Sequence, residues 1–483
     1  MFFMALTAQA DIIYVRIGAS GNNDGTSWDN AYTTAFLAIE NATAGDSVFV
    51  AHGTYVSNNP ISIPPYVSIF GGFPYSGNPT FADRDWVMNP SIFSGDVNLN
   101  DVPNSPANRS DNSVRIFETN TMYVLDGIIV EHGGNGSVSP GAGLAQGGSS
   151  SRSGIIRNCI FRQNRAGANG GAIRGVAMNA DDTLIIENTI IHDNTSTYGL
   201  GGAIVSNGTL IMNNCKLVNN NSYNGASAIF AACGNFNSTI ECTNVLFAKN
   251  QSLYGRMIRI DADGSPNSNQ STFNNCTFVH NENTSTHGLF TSVSSYSSTN
   301  PFVEINNSIL QFGALSSGTM WNEMNNYSIN LSNVVCNVSQ NDFENGLIFS
   351  GVYPPTITYT NELLDTDVTW AVEDSTTAYQ YILDCNSVGV NLGDPLLYTG
   401  GNTDVDGNPR TSGTTIDYGA FETTFNQNPV INQVGTILNS NNSHATYQWY
   451  LDGSPIVGQT SDSLEIFANG DYELVAHSPN GIC

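Results

Sequence analysis

Lysine is nearly absent. The 483-residue chain carries only Lys216 and Lys249, and its 14 basic residues face 41 acidic ones, for a formal charge of -27. That balance disfavours nucleic acid as a partner, because binding it draws on neutralisation of phosphate by Lys and Arg. It equally disfavours an anionic membrane surface. No apolar run approaches the roughly 18 residues that a spanning helix needs, so no membrane insertion is predicted. Eight cysteines are few for this length, and they do not build the dense framework of a small disulfide-held domain. What remains is 40% hydrophobic residues, enough for a large core. An acidic, lysine-poor surface serves solubility or collects divalent cations weakly.

The chain opens "MFFMALTAQADIIYV", in which Ala8-Gln9-Ala10 has the small-x-small form of a signal-peptidase site after an apolar stretch. An exported protein is therefore expected.

A motif recurs along the middle of the chain. "NCIFRQN" (158–164), "NTIIHDN" (188–194), "NCKLVNN" (214–220), "NVLFAKN" (244–250) and "NCTFVHN" (275–281) align; weaker copies begin at Asn307 and Asn333, and an earlier one, "GIIVEHG", at Gly127. Successive starts lie 31, 30, 26, 30, 31, 32 and 26 residues apart. A second short stretch follows each copy: "GGAI" at Gly170 and Gly201, "SAIF" at Ser227, "RMIR" at Arg256, "GLFT" at Gly288. Strands at a fixed period with no helix between them specify a solenoid.

Side-chain phase says which one. Two residues before the first Asn stand Ile156, Ile186, Met212, Cys242, Phe273, Ile305 and Leu331. One residue after it stand Cys159, Thr189, Cys215, Val245, Cys276 and Ser308, and three after it Phe161, Ile191, Leu217, Phe247, Phe278 and Leu310. Strict alternation would bury the Asn and expose its successor. The inward phase instead slips by one residue at the Asn, as a sharp corner between two strands would make it. Asn tolerates the left-handed backbone of such a corner, and stacked Asn side chains can bond from coil to coil. The predicted fold is all-β: a parallel β-helix with three short strands per coil, stacked ~4.8 Å apart. Cys159, Cys215 and Cys276 share an inward column two coils apart, roughly 9 to 10 Å, beyond disulfide reach. Buried free thiols are expected there. Cys336 with Cys385 can bridge, and Cys233 with Cys242 is a weaker pair.

A solenoid must cap its exposed end strands. In "DNAYTTAFLAIENATAGDSVFVAHGTY", Asp29 or Asn30 is expected to cap a helix with Ala31, Ala35, Phe36 and Ile39 on one face. Gly45-Asp46 would stop it before the strand Val48 to Ala51, and the helix would plug the mouth. At the other end "GNTDVDGNPRTSGTTIDYGAFE" (401–422) reads as a final turn and strand. Beyond it the alternation shortens around Trp449 and an Asp452-Gly453 turn, as in an immunoglobulin-like sandwich. The predicted organisation is a signal-peptide remnant over 1–10, the β-helix over 11–422, and an Ig-like domain, incomplete, over 423–483.

The opening "GTSWDNAYTTAFLAIENATAGDSVFVAHGTY", the "VSIFGGF" coil and the closing "DVDGNPRTSGTTIDYGAFE" resemble the right-handed β-helix surface proteins of Bacteroidetes, the choice-of-anchor Q group. The C-terminal module looks like the Ig-like domains that precede a type IX secretion sorting signal in such proteins. Separately, "GGAI" with "FxxN" at Phe161, Phe247 and Phe278 is similar to the repeats of chlamydial polymorphic membrane proteins, which are adhesins. Both resemblances imply a surface or secreted β-helix, outer-membrane associated in a Gram-negative bacterium. Neither implies a reaction.

Arg152, Arg157, Arg162, Arg165 and Arg174 concentrate in one stretch, and Arg259 falls in the column of Arg174 three coils on, with Val205 and Phe230 between. Guanidinium binds carboxylate bidentately, so these six are the candidate ligand-binding residues for an acidic polysaccharide or another surface ligand. Against this, Arg157 and Arg162 fall at outward positions where any polar residue is tolerated, and the face of Arg174 is unassigned. Parallel β-helices also carry lyases and hydrolases, which need paired carboxylates, or a base beside a cation. Asp181-Asp182 is an adjacent pair in a loop read as solvated, and His52 and His132 stand elsewhere. For metal, Asp261 with Asp263 and Asp404 with Asp406 resemble loop Ca2+ ligands, short of the full EF-hand pattern; Asp-Gly is also simply a turn. The expected function is adhesion or glycan contact by an exported β-helix without catalysis. The alternatives are a polysaccharide lyase or glycoside hydrolase, and a structural stalk or surface-layer element.

Overall fold

In the coil of residues 154–176 the backbone follows the alternation. Gly154–Arg157 is a strand that buries Ile156, Asn158 turns the chain at φ 55°, Ile160–Arg162 buries Phe161, and Ile173–Val176 forms the third side. The computed structural model describes residues 10–136, 139–147, 153–176, 182–231, 239–253, 257–262, 270–281, 290–294, 302–311, 321–322, 328–336, 356–373, 379–384, 387–398, 400–410, 415–423, 431–440 and 446–477. Through residue 360 the described chain is a right-handed parallel β-helix. Its third side is a stack of nine parallel strands from Ile61–Ile63 to Trp321–Asn322. The first two sides meet at the Asn corner. Gly154–Arg157 pairs with Tyr123–Asp126 and Thr183–Glu187, and Ile160–Arg162 pairs with Ile128–Glu131 and Ile190–His192, all parallel.

Gly127 and Asn158, Asn188, Asn214, Asn244, Asn275, Asn307 and Asn333 all have φ between 47° and 76°. The phase slip is therefore a left-handed residue, repeated coil after coil. A second left-handed column runs through His132, Gln163, Asp193, Asn219, Lys249 and His280, at φ 50° to 59°. The next residue in each coil from Gln163 onward is an Asn, and here the strong ladder forms. The amides of Asn164, Asn194, Asn220 and Asn250 each donate to the side-chain oxygen of the following coil's Asn, at 3.0 to 3.1 Å. Those four side chains are fully buried. The first-corner ladder that the repeat predicts also forms and is less regular, with Asn188 to Asn158 at 3.4 Å, Asn214 to Asn188 at 3.3 Å, Asn244 to Asn214 at 2.9 Å and Asn307 to Asn275 at 3.5 Å.

The inward columns fill as expected, with Phe247 and Phe278 stacked at 4.8 Å between ring centroids. Cys159, Cys215 and Cys276 are buried free thiols, and burial pushes each up to about 12. Cys336 is also buried, whereas Cys233 and Cys385 lie outside the described residues. Gly171 is required by its neighbour: a Cβ there would stand 2.0 Å from the Gly202 carbonyl oxygen of the next coil.

The cap helix is shorter than predicted, at Ala35–Asn41 with Thr34 before it. Neither Asp29 nor Asn30 caps it. The side chain of Asn30 instead accepts the N–H of Asn22, residues 29–30 form a turn, and Tyr32 bridges to Val15. Ala35, Ala38 and Ile39 join the same apolar core as the coils.

The segment expected as a final turn and strand, 401–422, does something else. The described residues between 363 and 423 form a strap against the outside of the second side. Val218, Leu246, Ala248 and Val279 point outward there and are buried under Tyr381, Ile382, Ala420 and Phe421. Their apolar outward faces need a cover. First-corner asparagines fasten it: Asn244 donates to the Thr403 carbonyl at 3.0 Å, Asn275 to that of Asp417 at 3.2 Å, and Asn307 to that of Asp394 at 2.8 Å. Residues 431–477 form two three-stranded antiparallel sheets around Trp449, Leu438 and Leu464.

Candidate functional site

The coil-to-coil register puts a carboxylate beneath each of the two outward arginines. Arg157 stands over Asp126, with Nε 2.7 Å from its carboxylate, and Arg84 holds the other oxygen at 2.9 Å. Burial alone would raise the Asp126 carboxyl, but hydrogen bonds from Arg84, Asn158 and Arg157 hold it below the ordinary range. Arg162 stands over Glu131 at 2.7 Å. Both arginines face outward as predicted and both are neutralised. They strengthen the stack more than they offer charge to a ligand.

The register also settles the face of Arg174. It pairs with Val205, then Phe230, then Arg259, one column on the outer surface of the third side beside inward Ile173, Ile204, Ile229 and Ile258. The Arg259 guanidinium lies 5.2 Å from the centre of the Phe230 ring. Val205 and Phe230 themselves are covered by Leu200 and Ala226, which interrupts the column as a contact surface. Arg152 and Asp263 lie outside the described residues, and of Asp261 only the backbone, in strand Ile258–Ala262, is described.

Arg165 differs from the rest. It follows the buried Asn164 at the second corner, and its backbone N–H bonds the Gly133 carbonyl at 2.8 Å. Among the described residues no carboxylate pairs with its guanidinium, and burial pulls its pKa down. It lines an open depression with Pro106, Asn108, Arg109, Ser110, Asn135 and Gly136. Arg109 is 6% exposed. Its guanidinium donates to the Ser105 and Gln163 carbonyls at 3.1 and 2.9 Å and stands 3.7 Å from Asp101. Burial lowers the Arg109 pKa, Asp101 opposes that, and Arg165 lowers it further. Two guanidiniums that stay charged at any ordinary pH thus share a depression whose charge is not fully matched.

Arg109 sits in the long connection from Ser91–Ser94 to Phe117–Thr119, and that loop packs onto the corner at His132. The repeat reading passed it over, because no copy of the motif falls there. A signal did exist: Asp96, Asn98 and Asn100 stand at the spacing of a cation loop, with Asp101 where glycine would follow. Asp96, Asp101 and His132 are the group of three potential ligands that converge among the described residues.

Asp404 and Asp406 are not in that group. All four acceptor positions of the Asp404 carboxylate are taken by N–H donors, from Asp406 at 2.9 Å, Asn408 at 2.8 and 3.2 Å, and Glu422 at 2.8 Å. Asp406 bonds Lys216 and Gln380. The pair locks the strap to the coils. Asp182 is 3% exposed rather than solvated, while its neighbour Asp181 lies outside the described residues. No helix of the described chain is long and apolar enough to cross a membrane.

No protein-family model and no curated protein matches the chain. Among solved structures it is similar to the crystal structure of pectate lyase Pel9A, with a TM-score of 0.42 and 13% identity over 86% of this chain and 97% of that one.

Proposed function

We propose that this protein is an exported β-helix, secreted or held at the cell surface, that contacts acidic polysaccharide without cleaving it. The observation that carries the reading is Arg165, a half-buried guanidinium without a carboxylate partner among the described residues, beside Arg109 in an open depression of a chain with charge -27. A buried cation left unpaired is costly, and a uronate carboxylate entering the depression would accept both guanidiniums in charge-assisted hydrogen bonds. Residues 423–483 would serve as an Ig-like spacer towards the anchor, following the 11–422 β-helix. The test is binding of polygalacturonate and alginate, with neutral glucan as control, alongside assays for reducing ends and unsaturated products. Binding of the acidic chains, lost in Arg165→Gln, is expected. Released products would overturn the non-catalytic reading in favour of a lyase or hydrolase. Neither binding nor products would leave a structural stalk.

A further inference from the structure

The loop beside this depression is folded inward around carboxylates. Asp96, 5% exposed, accepts the N–H groups of Asn100 and Asp101 at 3.1 and 2.9 Å, which brings Asp101 back over the coil. Asp101 Oδ2 then meets His132 Nδ1 at 2.9 Å. One ligand atom from each of Asp96, Asp101 and His132 lies within 4.8 Å of the others. Asn112, 3% exposed, enters the same space, its amide donating to Asp101 Oδ2 and to the His132 carbonyl at 2.8 Å each.

Among the described residues, two oxygens on these buried side chains have no donor: Asp101 Oδ1, on a side chain 0% exposed, and Asn112 Oδ1. Buried acceptors are ordinarily satisfied, and electron-rich oxygens left bare beside a second carboxylate and an imidazole are what a bound cation satisfies. We propose that Asp96, Asp101 and His132 form a site for one divalent transition-metal cation, Zn2+ or Mn2+. The imidazole nitrogen argues against Ca2+ and Mg2+, which take oxygen ligands. The Arg109 guanidinium approaches Asp101 from the Oδ2 side, at 3.7 Å, leaving Oδ1 for the metal. Its charge offsets one of the two carboxylates, so the affinity is modest. The cation ties the loop that carries Arg109 to the coil corner at His132.

The test uses the full chain stripped by a chelator and titrated calorimetrically with ZnCl2, MnCl2 and CaCl2, with bound metal measured after desalting. One Zn2+ or Mn2+ per chain is expected, with Ca2+ at least about tenfold weaker. Asp101→Asn should lower affinity by about tenfold or more. His132→Asn keeps a residue that tolerates the left-handed corner, at φ 59°, while removing the imidazole, and should do the same. His52→Gln, at an exposed histidine outside the cluster, should change nothing. No uptake would show that water fills the space and would overturn the proposal. So would uptake unaltered in Asp101→Asn and His132→Asn, or a preference for Ca2+. Polysaccharide binding is not read, so failure here leaves the glycan reading untouched.

Discussion

The side-chain amide of Asn194 donates to the side-chain oxygen of Asn220 in the next coil at 3.0 Å, and the same amide donates to the Phe161 carbonyl in the preceding coil at 2.9 Å. Its oxygen accepts the Asn164 backbone N–H at 3.0 Å. One side chain thus serves three successive coils. Asn194→Ala leaves several of these groups buried and unpaired, at about 1 to 3 kcal/mol each. Chemical denaturation should show a loss of roughly 3 to 5 kcal/mol. At the exposed first corner, Asn188→Gly keeps the left-handed residue and should cost under about 1 kcal/mol, whereas Asn188→Val should cost about 1 to 2 kcal/mol or more.

The thiols of Cys159, Cys215 and Cys276 are buried and raised to about 12. The thiolate is the reactive species. Iodoacetamide at pH 8 should therefore leave all three unlabelled in the native chain and label them all after denaturation, as read by peptide mass. Native labelling at any of them would contradict the inward column.

Glu422 is 2% exposed. Burial, then the neighbouring Asp417, raise its carboxyl to about 9 against the opposing charge of Arg410. The unfolded chain titrates it near 4.5, so the folded state binds the extra proton between those values. Its contribution to stability is full below about 4.5 and is lost as pH rises through about 9. Amide exchange over 363–423 should quicken from pH 6 to 9 beyond its intrinsic rate. Glu422→Gln should flatten that dependence.

Arg157 and Arg165 carry the same charge in neighbouring positions and should behave oppositely. Arg157→Ala unpairs Asp126, which retains Arg84 and Asn158, so stability should fall by about 1 kcal/mol with polysaccharide binding unchanged. Arg165→Ala should leave melting within a degree or so of wild type, or raise it, and weaken binding of polygalacturonate by about tenfold or more. Equal effects of both on binding would point to diffuse charge.

The coil was legible because its determinants are local. Ile156, Asn158, Cys159 and Phe161 lie within six residues, and each repeats often enough to expose the phase slip. The first-corner ladder was legible, but the second, fully buried one was not: Asn164 closes the same motif, yet only the stacking shows that its corner points inward. The strap was not legible, because Lys216 meets Asp406 across 190 positions of sequence. Asp404 and Asp406 accordingly read as a cation loop when they are filled by N–H and ammonium donors. Of the six candidate arginines, those at 157 and 162 were placed correctly on the outer face. Nothing local to Arg165 could show that its neighbour would be Arg109, delivered by a loop 54 residues upstream of the Gln163 carbonyl it reaches.

A stack of coils in which each touches only its neighbours comes apart one layer at a time from either end. The strap changes this, since Thr403 is bound to Asn244, Asp417 to Asn275 and Asp394 to Asn307. Peeling any of those layers must first release a segment that also grips the others. The strap also reaches the two coils before these, through Asp406 at Lys216 and Tyr379 at His192. Under tension along the stack, the layers from 188 to 307 should therefore yield as one block, at a single force, while the coils before them yield in steps.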